Sequence, residues 1–285
     1  MSTDTTTPRA SPYYQDDTVT LHHGDSLEIA RTLETGSVDC IITSPPYYGL
    51  RDYGSDGQYG LEDSPEQFVS VLADLFGELG RALADDGTLW VNLGDSYGRG
   101  SRPMAQPAQS VESKRGNKAS IRPQDKRSLN LTNKSLIGVP WMFALEMKRR
   151  GWILRNEIIW AKPNGMPAKV KDRFHNKHEH IFLFTRSESY WFDLPEQSYG
   201  DVWNIATVPF SGAHFAVFPP ELVTKCVQAG CKPGGTVLDP FSGSGTTGMV
   251  AQRNGRKYVG IDISADYLKL SLETRLQNLV LDLGA

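Results

Sequence analysis

The chain has 285 residues, with 30 Lys and Arg against 33 Asp and Glu for a net charge of −3, and 39% of it is hydrophobic. At ~150 residues per domain that length allows one large or two small domains, and six Trp, eleven Tyr and eleven Phe can build a sizeable core. No apolar run approaches a membrane span, and Cys40, Cys226 and Cys231 lack metal-ligand spacing; a spanning helix and a disulfide framework are excluded, and a soluble cytoplasmic protein is expected.

Met1 to Asp17 is polar, and residues 1–18 read as a flexible arm ahead of one folded unit over 19–285. Val19 to His23 reads as a strand. Gly24-Asp25-Ser26 ends it, and Asp25 or Ser26 can cap a helix from Leu27 to Leu33. Val38 to Thr43 is a second strand, so the opening is a βαβ unit with a right-handed crossover. Then comes Thr43-Ser44-Pro45-Pro46-Tyr47-Tyr48-Gly49. The prolines cannot continue the ladder and bias Ser44 and Pro45 away from helical geometry. The chain therefore leaves the sheet in a stiff, extended turn. Its free carbonyls and the Ser44 hydroxyl sit at the carboxyl end of a strand, where open α/β sheets place ligands. Such a turn suits a planar group bearing an amine: N–H bonds to Ser44 Oγ and the Pro45 carbonyl, with Tyr47 against the ring face. The plain structural alternative is a proline-rich turn packed locally.

Tyr48 to Leu61 is a loop rich in glycine and tyrosine. Ser64-Pro65-Glu66 starts a helix with Phe68, Leu72, Leu75, Phe76, Leu79 and Leu83 at helical spacing, Asp86-Gly87 turns the chain, and Thr88 to Leu93 is a strand. Gly98 to Lys134 carries nine basic residues against two acids, a net +7 where the rest of the chain sums to −10. It has almost no large apolar side chains and cannot fold alone. It reads as a basic insertion over 98–135 that contacts nucleic-acid phosphates through Arg99, Arg102, Lys114, Arg115, Lys118, Arg122, Lys126 and Arg127; the bland alternative is a solvated loop. Val139 to Arg150 is a helix, Trp152 to Lys162 and His178 to Thr185 an antiparallel strand pair, and Lys169, Lys171, Arg173 and Lys177 a second basic cluster between them. His175, His178 and His180 tempt a metal reading, but no cysteine or carboxylate pair joins them, and no metal is expected. Tyr190 to Val208 is irregular. A helix running through Gly230, a strand Thr236 to Asp239, a glycine loop, a helix from Thr246, a strand Lys257 to Ile263 and a helix from Ser264 to about Leu279 complete the chain.

Ser44-Pro45-Pro46-Tyr47 after a hydrophobic strand resembles motif IV of the DNA amino-methyltransferases, which methylate exocyclic amines of cytosine or adenine. Leu238-Asp239-Pro240-Phe241-Ser242-Gly243-Ser244-Gly245-Thr246-Thr247-Gly248 resembles that family's motif I, the S-adenosylmethionine loop. The catalytic motif precedes the cofactor motif, which resembles the β-class order, and the likeness spans roughly Val19 to Leu276. It implies a three-layer α/β fold with a mainly parallel, Rossmann-like sheet in circularly permuted order.

Gly243 and Gly245 permit close backbone approach, and Asp262 at the end of the next strand is placed to bond ribose hydroxyls, or else to serve as a turn acid. By resemblance, Asp239, Phe241, Gly243 and Gly245 surround the methionine part of S-adenosylmethionine, Asp25 lies near the adenine unless it is only a helix cap, and His214 and Phe218, in a stretch similar to motif X, line the methionine end. Ser44, Pro45, Pro46 and Tyr47 are the expected catalytic residues. The expected reaction is methyl transfer to cytosine N4 in duplex DNA after the base is flipped out, since a serine in first position is more usual for the cytosine branch; adenine N6 is the alternative, and an RNA or protein amide acceptor a remoter one. Double-stranded DNA, a cognate restriction endonuclease and a monomeric or homodimeric state are the partner expectations. Tyr190 to Val208 leaves little room for the separate target-recognition domain that many relatives carry, so base reading falls to the basic insertion and nearby loops.

Overall fold

The computed structural model describes residues 11–50, 57–98, 131–165, 170–193, 200–207 and 218–277. Its elements run β1 (Tyr14–Gln15), β2 (Val19–His23), α1 (Ser26–Thr32), β3 (Val38–Thr43), α2 (Pro65–Ala82), β4 (Leu83–Leu93), α3 (Val139–Arg149), β5 (Ile153–Ala161), β6 (His178–Thr185), β7 (Val202–Asn204), α4 (Pro220–Gly230), β8 (Thr236–Asp239), α5 (Thr246–Arg253), β9 (Lys257–Asp262) and α6 (Ala265–Ser271), with a π-helical turn over Leu272–Leu276.

Among the described residues the strands form one sheet of nine in the order β1-β2-β9-β8-β3-β4-β6-β5-β7. The five strands from β2 to β4 are mutually parallel. β6 runs antiparallel to both β4 and β5, as expected of the strand pair, and β7 is parallel to β5. The alternation of side chains explains why the central strands are apolar on both faces. Ile41, Leu89, Val91, Leu238, Phe182 and Phe184 point to one helix layer, α1–α3. Cys40, Ile42, Trp90, Val237, Ile181 and Leu183 point to the other, α4–α6. The expected three-layer α/β architecture is what the chain adopts.

Local signals set the helices. Ser64 Oγ accepts the Gln67 amide at 3.1 Å ahead of Pro65, and α2 buries Phe68, Leu72, Leu75, Phe76 and Leu79. Asp95, just past β4, receives the Gly138 amide at 2.9 Å, capping α3 from another part of the chain.

Four local expectations are corrected. Tyr14–Gln15, within the stretch read as a flexible arm, pairs with β2 as β1. The turn at Asp86-Gly87 is a bulge inside a longer β4: its pairing with β3 jumps from Val38↔Leu83 to Cys40↔Thr88. Val202–Asn204 in the irregular stretch forms β7. The last helix passes into a π-turn after Ser271. Residues 1–10, 99–130 and 208–217, and with them most of the basic insertion, lie outside the described residues.

Chain direction places the site. From β8 the chain moves through α5 to β9 on one side; from β3 it moves through α2 to β4 on the other. β3 and β8 are neighbours, so their carboxyl ends flank the point where the winding reverses, the usual crevice of a doubly wound sheet.

Candidate active site

A cavity of about 350 Å³ opens at that reversal point. Ser44, Pro45, Pro46 and Tyr47 line it from the end of β3, Asp239, Phe241 and Gly243 from the end of β8, Asp262 from β9, Asp25 from the turn after β2, and Phe218 from the start of α4. Ten of the expected site residues thus converge. Gly245 does not line the cavity. It begins α5 at φ 76°, and a β-carbon there would stand 2.8 Å from Ser271 Cβ, so glycine is required for packing as well as for torsion. His214, Arg99, Arg102, Lys114, Arg115, Lys118, Arg122, Lys126 and Arg127 lie outside the described residues.

On the β8 side, Asp239 is 4% exposed and anchors the loop: Oδ1 accepts from Thr43 Oγ1 at 2.7 Å and from the Phe241 amide at 3.0 Å, and Oδ2 accepts from Thr247 Oγ1 at 2.7 Å. Burial outweighs these bonds and lifts its carboxyl to about 6. The Thr43 bond ties the β3 turn directly to the glycine loop. Asp262 accepts the Gly243 amide at 2.7 Å and the Ser264 amide at 2.8 Å, and burial raises its carboxyl too. It therefore shapes the loop and the next turn while facing the cavity. Asp25 likewise does two things, capping α1 through the Glu28 amide at 2.9 Å and lining the cavity. Tyr59, from the loop after the Ser44 turn, packs edge-on against Phe241 with ring centres 5.1 Å apart. The Gly49 amide bonds the Gly60 carbonyl at 2.8 Å, which closes that loop back onto the turn.

On the β3 side, three residues that sequence reasoning missed hold the turn. Asn92 of β4, 1% exposed, donates Nδ2 to Tyr47 Oη at 2.8 Å, to Glu179 Oε2 at 2.8 Å and, more weakly, to Ser44 Oγ at 3.3 Å. The Tyr47 hydroxyl donates to the same Glu179 oxygen at 2.5 Å. Lys162, at the end of β5, pairs with Glu179 Oε1 and lies 4.4 Å over the Trp160 ring. Burial first, then the Glu179 carboxylate, pushes the Tyr47 phenol well above its ordinary range, so it stays a neutral donor. The one signal for Glu179 was its place between His178 and His180: if the histidines share a face, the residue between them takes the other. His180 itself binds Glu157 through Nδ1 at 2.7 Å. Among the described residues no group of histidine, cysteine and carboxylate side chains could hold a metal.

The arrangement joins two chemistries. Ser44 and Pro45 line the same cavity as a glycine loop that carries an acid on each side, Asp239 and Asp262. The family model of DNA methylases matches residues 38–273. Across 90% of its length the chain is 48% identical to the type II methyltransferase M.Cfr9I of Citrobacter freundii, covering 87% of that protein. In structure it is similar to the cytosine-N4-specific PvuII DNA methyltransferase, with a TM-score of 0.70, 20% identity and coverage of 91% of this chain and 87% of that one. It is also similar to TTHA0409 of Thermus thermophilus, solved with S-adenosyl-L-methionine, with a TM-score of 0.58, 24% identity and coverage of 89% and 92%.

Proposed function

The chain belongs to the DNA methylase family, and on that premise we propose that it transfers a methyl group from S-adenosylmethionine to the exocyclic N4 of cytosine in duplex DNA. The observation that carries this reading is the shared cavity, into which the Ser44 turn and the Asp239–Asp262 loop both open. The residues fit a nucleoside sulfonium. Gly243 sits at φ 51°, where a β-carbon would stand 3.8 Å from the Phe241 carbonyl oxygen, Asp262 offers carboxylate oxygens to ribose hydroxyls, and Phe241 and Phe218 give apolar walls. S-adenosylmethionine supplies a methyl group carried on a positively charged sulfur.

An exocyclic nitrogen is a poor nucleophile because its lone pair is delocalised into the ring. Ser44 Oγ accepts one of its N–H bonds and the Pro45 carbonyl the other. Asn92, donating to Ser44 Oγ, occupies one serine lone pair and leaves the second for the base. These bonds would draw the hydrogens out of the ring plane and localise the nitrogen lone pair, and the fixed turn would orient it toward the methyl donor. The methylated ammonium is acidic and releases its proton to water, so no strong base is needed. The target base must leave the duplex first. The Tyr47 ring, held by its hydroxyl, gives it a face.

On this reading the phosphate contacts fall to the 98–135 insertion, through Arg99, Arg102, Lys114, Arg115, Lys118, Arg122, Lys126 and Arg127, and His214 lines the methionine end. The type II name of the relative supports pairing with an endonuclease of the same recognition sequence. The serine in first position favours cytosine over adenine, in keeping with the cytosine-N4 specificity of the structurally similar PvuII enzyme. The test is tritiated S-adenosylmethionine with mixed-sequence duplex DNA, chromatography of the labelled nucleosides, and a Ser44→Ala control. Labelled N4-methylcytosine that vanishes in the control is expected. N6-methyladenine would move the target base, and no transfer to DNA would overturn the reading.

A further inference from the structure

Phe174 is 96% exposed, the most exposed large apolar side chain among the described residues. It sits in the β5–β6 connection, whose place is set by register: Ala161 pairs with His178, and Leu93, at the carboxyl end of β4, pairs with His180. The connection therefore rises from the same end of the sheet as the Ser44 turn. Phe174 is five residues before Glu179, which holds Tyr47.

The backbone around Phe174 is pinned while the ring is left free. Arg173 stacks on the Tyr97 ring at 3.7 Å and donates to the Phe174 carbonyl at 3.0 Å. Asp172, the one acid between Lys171 and Lys177, is bound to Lys134 at 2.6 Å. The Lys162 amide closes the base of the loop on the Lys177 carbonyl at 2.7 Å. The immediate neighbours on the outer surface are Lys171, Arg173, His175 and Lys177. An apolar protein partner would have to bury those charges unpaired. A nucleic acid places phosphates against them and stacked bases against the ring.

We propose that Phe174 is a wedge that enters the base stack of duplex DNA beside the target nucleotide and fills the space left when that base turns into the cavity at Ser44. Apolar side chains inserted at base steps unstack and kink the duplex in other DNA-binding proteins, and a ring that replaces the lost stacking stabilises the turned-out state. Phe174 is a positioning residue and touches neither the methyl group nor the amine. The inference rests on the base-turning part of the proposed function.

The experiment uses the full chain and a short duplex whose methylated nucleotide has been mapped, with a fluorescent analogue in place of the target base (pyrrolocytosine, or 2-aminopurine for adenine). Wild type, Phe174→Ala and Phe174→Trp are compared. Melting temperature and binding of S-adenosylhomocysteine should be equal in all three, because the ring touches solvent. Wild type and the Trp variant should raise the fluorescence on binding, and the Ala variant should lose most of the rise. Its kcat/KM on the matched duplex should fall by roughly tenfold to a hundredfold, the worth of one stacked base. A mismatch at the target pair, which weakens its hold in the helix, should restore the Ala variant to within a few-fold of wild type. A wild-type rise that the Ala variant shares, an unrescued Ala variant, or a lowered melting temperature that shows the ring packed on its own chain would overturn the wedge alone. No rise even in wild type would overturn base turning itself, and the wedge with it.

Discussion

The Tyr47 hydroxyl lies 2.5 Å from Glu179 Oε2, although 132 residues separate the two in sequence. The bond spans three strands, from the end of β3 across β4 to the start of β6. It fixes the ring that follows Ser44 and Pro45, and Asn92 and Lys162 complete the frame. Tyr47→Phe keeps the ring and removes the tether. We expect kcat to fall by about tenfold with S-adenosylmethionine affinity unchanged, and Tyr47→Ala to lose about a hundredfold or more, since small misplacements at the reacting centre carry such factors. Single-turnover methylation alongside cofactor titration checks this. Equal losses in both variants would show that the hydroxyl, not the ring, is what matters.

Gly94 follows β4 directly beneath this ring. A β-carbon there would stand 2.6 Å from Tyr47 Cε2. Gly94→Ala must push the tyrosine aside, and the turn with it. We expect at least a tenfold loss of kcat with a melting temperature lowered by only a few degrees, read from the same kinetics and a thermal scan. Unchanged kcat would mean that the turn absorbs the shift.

Asp239 gives a pH signature. Burial holds its carboxyl at about 6, against 3.8 in an exposed side chain. The folded state therefore binds the proton more tightly than the unfolded chain. That cost is absent below about pH 4, grows through pH 4 to 6, and stays in full above pH 6, at about 2–3 kcal/mol. Asp239→Asn keeps an acceptor for Thr43 and Phe241 without the charge. Its melting temperature should lose the decline between pH 4 and 6.5 that wild type shows from this group, and should match or exceed wild type at pH 7.5. A variant much less stable at pH 7.5 would show that the three hydrogen bonds outweigh the burial.

Asp262 is expected to act on cofactor binding rather than on the chemical step. Asp262→Ala removes the acceptor for the Gly243 amide and the carboxylate offered to the ribose. Affinity for S-adenosylmethionine should weaken by roughly tenfold to a hundredfold, the worth of one or two hydrogen bonds to a charged group, with kcat at saturating cofactor within a few-fold of wild type. Isothermal titration calorimetry measures the first and initial rates the second. A large drop in kcat at saturation would place Asp262 in the reaction geometry itself.

The two cavity-facing turns were legible because their chemistry is local. Two prolines after a β-branched run, and two glycines after a strand-ending acid, announce turns from adjacent residues alone. The strands β2, β3, β6, β8 and β9 were legible from their apolar patterns. Asn92, Lys162 and Glu179 were not, because each is an ordinary polar residue in its own segment and becomes a site residue only through the antiparallel docking of β6 on β4 and β5. The histidines on either side of Glu179 drew attention by residue type, while the informative fact was the face between them. β1 and β7 were missed because two- and three-residue strands exist only by pairing with neighbours. The bulge in β4 hid for the opposite reason: Asp86-Gly87 carries a turn signal, and the strand runs through it with a shift of register.

The pairing of β3 with β8 sets when the enzyme can exist. Thr43 and Asp239 are 196 residues apart and share a hydrogen bond at the centre of the sheet. As the chain leaves the ribosome, the Ser44 turn emerges well before the Asp239 loop, which follows β3 by some 196 residues. Until β8 and β9 arrive, β3 and β2 lack their inner neighbours, and a closure over so long a loop forms late in folding. A chain stopped before β8 therefore carries the Ser44 turn without the Asp239 loop, and the cavity that the two share is not formed.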